Sequence, residues 1–214
     1  MTRRALLCLV MLAPPGARCE IIDRIAVVVG RGVITASEVT REVRLTDFLN
    51  QTKLDLSMDA KRKAVERLID QRLIRRELQL TRYPTPPASE ADKLLAQYRS
   101  AHFPTQAAFE QALRQYGIDQ EDLKAHLLWQ LTAMRFIEMR FRPGIQVTDE
   151  EVEREIERRL SAKGNTPQQA AALDDDRAQI REELIEQRVD QQVDRWLKSA
   201  REGTTIEIRE EALR

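Results

Sequence analysis

The sequence predicts a mainly α-helical fold with one small β-hairpin, completed by a strand from the far end of the chain. Three observations lead there. Residues 21–39, IIDRIAVVVGRGVITASEV, form the one long strand-like run, and nearly everything after it has helical spacing. The helical stretches are set off by caps and breakers: Thr35, Asp119 and Thr148 at their starts, Gly117, Pro143-Gly144 and Gly203 at their ends. A short alternating run at 204–209, TTIEIR, is the other strand-like stretch, and a lone strand needs a partner. The hairpin offers one, so Ile206 and Ile208 are expected to pack where 204–209 adds to it.

Within the hairpin, Ile21, Ile25, Val27 and Val29 alternate with Ile22, Ala26 and Val28. The strand is therefore apolar on both faces and wants cover on both. Gly30-Arg31-Gly32 reads as a turn and Val33-Ile34 as the return strand. Thr35 with Glu38 three residues on is a capping box, opening a helix over 36–51 with Val39, Val43 and Thr46 inside.

A second helix spans 58–80 behind Ser57. Val65, Leu68, Ile69, Leu73 and Leu80 give it one stripe; Ile74 and Leu78 lie off it, which lets the helix touch two neighbours. Pro84, Pro86 and Pro87 make an extended connector. Helices follow at 89–101, carrying Leu94, Leu95 and Tyr98, and at 106–116, with Phe109 and Leu113. A long one runs over 120–141 and a charged one over 149–160. The last helix, 177–200, aligns Ile185, Val189, Val193, Trp196 and Ala200. Before it, 161–176 is small and polar, the composition of a flexible connector or weak helix.

The first nineteen residues stand apart. Arg3-Arg4, then ALLCLVMLA, then Pro14-Pro15-Gly16 is the pattern of an export signal, too short to span a bilayer. Cleavage after Cys19 is expected. The alternatives are a lipidated Cys19, against which the bulky Arg18 argues, and an uncleaved N-terminus. Removing Arg3, Arg4 and Arg18 from 35 basic residues leaves 32 against 35 acidic ones, a net charge of about −3. That balance supplies no general field for nucleic acid. Cleavage also removes both cysteines, so no disulfide or thiolate metal site is expected.

Catalytic and metal-binding patterns are not found. His102 and His126 are not spaced as ligands, and both are expected to be structural or solvated. The acidic run from Asp149 to Glu157 alternates with arginines, as on an exposed helix with i,i+4 pairs. No nucleophile elbow, phosphate loop or dinucleotide fingerprint occurs. The expectation is no catalytic residue, no metal and no cofactor.

The most informative helix is 120–141. Leu123, Leu127, Leu131, Met134, Ile137 and Phe141 share one stripe. Trp129, Ala133 and Phe136 form a second line, with Leu128 and Met139 between. Such a helix is either central in the core or exposes apolar surface. In the second case Trp129, Phe136 and Met139, with Tyr98, Phe103, Phe109 and Tyr116 from preceding helices, line a groove for extended, aromatic-rich peptides.

An export signal, then VVVGRGVITASEV, then AVERLIDQRLIRREL resembles the N-terminal domain of SurA-type periplasmic chaperones. Val28, Val29, Ile34, Thr35, Ser37, Glu38 and Val39 hold the opening motif, with Gly30 where the family usually has asparagine. Phe109, Leu113, Gly117 and Leu123 fit the family's F-x-x-x-L-x-x-x-G and following helix. The sequence VDQQVDRWLKSAREGTTIEIR fits its closing helix and strand. The resemblance implies a chaperone domain over 20–160, closed by 177–214. Connector 161–176 stands where relatives carry a parvulin prolyl-isomerase domain of about a hundred residues.

It therefore implies an ATP-independent periplasmic chaperone without isomerase activity. Its partners are unfolded polypeptides, outer-membrane β-barrel precursors above all, with neither nucleic acid nor stable membrane insertion. The alternative is a helical structural or adaptor subunit of an envelope complex.

Overall fold

The computed structural model describes residues 23–81, 83–163 and 176–214. The export signal, the strand start at Ile21 and Ile22, and most of the 161–176 connector lie outside them. Among the described residues the chain is mainly helical with a small three-stranded antiparallel sheet, as its sequence predicts.

Strand β1 (Ile25–Val29) turns through Gly30 into β2 (Gly32–Thr35), and β3 (Ile206–Ile208) joins the other side of β1. The expected clasp thus forms, with Val27 opposite Ile208 and Val29 opposite Ile206. Gly30 adopts φ +58°, which side chains resist, and its N–H donates to Thr205 O at 2.8 Å. The register slips between Ile25 and Val27. This irregularity breaks the alternation read from sequence: Ala26 and Val27 are both fully buried, while Ile25 is exposed. Ile206 packs on the core, but Ile208 is exposed on the edge strand. A feature the sequence reading lacked is the closing 3-10 turn Glu210–Leu213, which inserts Ala212 and Leu213 into the core under the sheet.

Seven helices follow among the described residues: α1 (Ala36–Leu49), α2 (Met58–Thr81), α3 (Ala88–His102), α4 (Gln106–Tyr116), α5 (Gln120–Phe141), α6 (Asp149–Lys163) and α7 (Arg177–Glu202). Helices α1, α4 and α5 start at side-chain caps, Thr35, Thr105 and Asp119, whereas α3 follows Pro87 without one. The Thr35–Glu38 box is reciprocal, and Asp119 accepts from Asp122 N–H at 2.7 Å. Each such cap contributes about 1 kcal/mol. Gly117 ends α4 in the left-handed conformation, φ +64°. Helix α6 runs on to Lys163, past its expected end.

Val39 and Val43 of α1, with Val65, Ile69 and Leu73 of α2, cover the sheet. Helix α2 does touch a second neighbour: Ile74 and Leu78 join Phe136, Phe141, Val189 and Val193 where α5 meets α7. Leu80, expected on the stripe, is exposed in the last turn. Helices α6 and α7 pair through Val152, Ile156 and Ile180. Arg201 of α7 reaches both Glu66 and Asp70 of α2, at 2.6 and 2.7 Å. Arg140 of α5 holds Glu77 of α2 at 2.7 Å. Partly exposed pairs of this kind add roughly 0–1 kcal/mol each and serve mainly to fix helix orientation.

Candidate functional site

Helix α5 changes neighbours along its length, and this decides which of its apolar residues stay open. Near its start Leu123 and Leu127 pack with Phe48 of α1 and Leu95 of α3. Near its end Phe136 and Phe141 pack against α2 and α7. Between these two cores, α1, α2, α5 and α7 leave a groove of about 590 Å³. Trp129, Ala133, Met134 and Ile137 form its floor, with Leu49 from α1 and Val189 from α7. Gln71, Gln130, Glu138, Arg142, Glu186 and Asp190 give it a polar rim. Met134 is 55% exposed, high for a large apolar residue.

One part of the groove wall is a charged cluster around a buried glutamate. Glu42 of α1 is 5% exposed and accepts from Arg67 Nε at 3.1 Å. Arg67 Nη2 also donates to Thr46 Oγ1 at 3.1 Å. His126 Nδ1 lies 3.6 Å from Glu42 Oε2, and Gln130 Nε2 lies 3.1 Å from His126 Nε2. The glutamine nitrogen can only donate, so the neutral imidazole carries its proton on Nδ1, facing Glu42. Burial pushes the His126 pKa below its usual value; Glu42 opposes this and the charges of Arg67 and Arg75 reinforce it. The Arg75 guanidinium lies over the Trp129 ring, 4.2 Å from its centroid. A smaller hollow of about 150 Å³ opens on the other side of Trp129 and His126.

The structure splits the residues expected in one groove. Trp129 lines it, half-buried. Phe136 does not: it is 1% exposed and packs against Tyr83, Phe141 and Trp196. Met139 is exposed but off the groove lining. Phe109 is fully buried, and Tyr98, Phe103 and Tyr116 pack around it and Phe48 in a separate closed cluster. These six residues therefore do not line the groove. The two lines on α5 also exchange members, because the helix passes from one core to the other. Met134 of the supposed core stripe reaches the groove, and Phe136 of the supposed groove line enters the core.

Sequence reasoning missed Glu42, Arg67, Leu49 and Val189, and it left His126 as a bystander. A usable signal was present for two of them. Glu42 lies three residues after Val39 on the inward side of α1, and His126 three after Leu123 on α5, so both sit at core-facing spacing. Among the described residues no group of three or more His, Cys, Asp or Glu is placed to hold a metal ion. No described helix is long and apolar enough to cross a membrane. What the arrangement offers is an adaptable apolar floor beside a charged cluster. No family model and no curated protein matches this chain.

Proposed function

We propose that this chain is an ATP-independent periplasmic chaperone that holds unfolded polypeptides by seating their apolar side chains in the groove beside α5. The observation that carries the reading is the open floor of Trp129, Ala133, Met134 and Ile137, which no described element covers. A flexible thioether and a flat indole accept many side-chain shapes, and the polar rim lets an extended backbone keep its solvation. The client class, outer-membrane β-barrel precursors, rests on the resemblance of the hairpin and α2 sequences to SurA-type chaperones. Such precursors present alternating apolar and aromatic residues to a binder. Holding them needs no catalytic step: binding lowers the free unfolded population by mass action.

The test is aggregation of a urea-diluted β-barrel protein, followed by light scattering, with the purified chain at stoichiometric concentration. Wild type is expected to suppress it, and W129S/M134S to lose most of that effect while keeping its helical circular dichroism. A folded wild type without effect overturns the reading. One tight stoichiometric partner from the envelope, with no binding of varied apolar peptides, favours an adaptor subunit instead.

A further inference from the structure

We propose that the cleft between the hairpin turn and α2 binds a phosphate-bearing anion, held by Arg31, Arg75 and Arg76. The cleft has a volume of about 750 Å³ and is lined by Gly30-Arg31-Gly32, by Arg72, Arg75 and Arg76 on α2, and by Thr204 beside β3. Among the described residues no carboxylate lines it. This is unusual for α2. Arg62, Arg67 and Arg72 of the same helix hold Glu210, Glu42 and Glu38 respectively. Arg75, Arg76 and Arg31 hold no carboxylate among the described residues. Arg72 and Arg76 are four residues apart on one helix face, where like charges repel. The local excess of positive charge arises although the chain beyond residue 19 is net acidic.

The geometry suits an anion with several oxygens. The Arg75 guanidinium sits over the Trp129 ring, 4.2 Å from its centroid, and hydrogen-bonds no described residue. Its pKa is pushed down by burial first and by the charge of Arg72 second, with Glu38 and Glu42 opposing. Arg31 extends from a turn that cannot drift. Gly30 is at positive φ, is bonded to Thr205, and leaves only 3.4 Å between an added Cβ and Thr204 Cγ2. A phosphate offers more acceptor oxygens and more negative charge than a carboxylate, so it can take charge-assisted hydrogen bonds from several such forks at once. The concave wall concentrates the field of the three cations. The site shares no lining residue with the groove and does not depend on the chaperone reading.

Two arms distinguish the source of the phosphate. Calorimetric titration with inorganic pyrophosphate at fixed ionic strength tests a soluble anion. Sedimentation with phosphatidylcholine vesicles, with and without phosphatidylglycerol, tests a lipid headgroup. In whichever arm shows saturable binding, R31Q/R76Q is expected to weaken it about tenfold or more, as the loss of charged hydrogen bonds implies. R114Q/R209Q removes the same charge from exposed sites outside the cleft and is expected to leave binding unchanged. Absence of saturable binding in both arms overturns the proposal. So does an equal loss in the control variant, which means diffuse charge alone, or binding confined to acidic peptides.

Discussion

Two aromatic regions of this molecule begin with the same kind of residue and end in opposite states. Around Phe48, the rings of Tyr116 and Phe103 lie 5.5 and 5.8 Å away, and Phe109 closes the set at 6.2 Å. Their polar tips are also satisfied. Tyr98 Oη donates to Phe48 O at 2.7 Å, and Tyr116 Oη donates to Thr52 O at 2.6 Å. In the groove, Trp129 has Arg75 on one face and small or flexible neighbours, Ala133 and Met134, beyond. The difference lies in the neighbours. An aromatic cluster closes where several rings meet and backbone carbonyls at a helix end receive the hydroxyls. It stays open where the next turns of the same helix supply too little volume to fill the space.

That contrast is broken most sharply from the closed side. Phe109 is fully buried among Phe48 and Phe103. Phe109→Ala is expected to cost about 3–5 kcal/mol, the transfer and cavity cost of a buried ring. Urea unfolding measures it directly. A loss below about 1 kcal/mol means the cluster is loose enough to open, and the closed–open distinction then fails. A smaller effect is expected where only a tip is removed. Tyr116→Phe keeps the ring and deletes one hydrogen bond to Thr52 O, so about 1 kcal/mol is expected from the same measurement. No change at all assigns the closure of the cluster to ring packing alone.

Legibility in the sequence follows the same division. Caps are local, so Thr35, Thr105, Asp119 and Gly117 set helix boundaries that could be read from a few neighbouring residues. The pairing of β3 with β1 could be read because an orphan strand has few places to go. The slip at Ala26 could not, since one extra residue in a strand changes the facing of its neighbours without changing composition. The 210–213 turn was missed for a related reason: Glu210-Glu211-Ala212-Leu213 is too short for any period to register. The groove was half legible. Helical spacing marks α5 as apolar on several sides, but which side is covered depends on α2 and α7, which come from distant parts of the chain. Hence Trp129 lines the groove, half-buried, while Phe136, expected beside it, is buried.

The smallest effect expected lies where the groove meets the charged cluster around Glu42, and its sign can be worked out. His126 faces Glu42, with Arg67 and Arg75 close enough to act on it by charge, and burial lowers its pKa in the folded chain. An unfolded chain binds that proton near the ordinary histidine value of about 6.5, whereas the folded chain resists it until lower pH. The stabilisation from keeping His126 neutral is therefore complete above that value. It is lost as pH falls from about 6.5 toward the depressed folded value, and it stops changing below it. His126→Gln keeps a polar side chain of similar reach and cannot titrate. Its urea midpoint is expected to fall less than that of wild type between pH 7.5 and 5.5. Equal slopes place His126 in solvent contact, and a steeper slope for the variant means that the ion pair with Glu42 outweighs burial. In that second case protonation tightens the charged part of the groove wall, and the open floor beside Trp129 is braced at low pH rather than weakened.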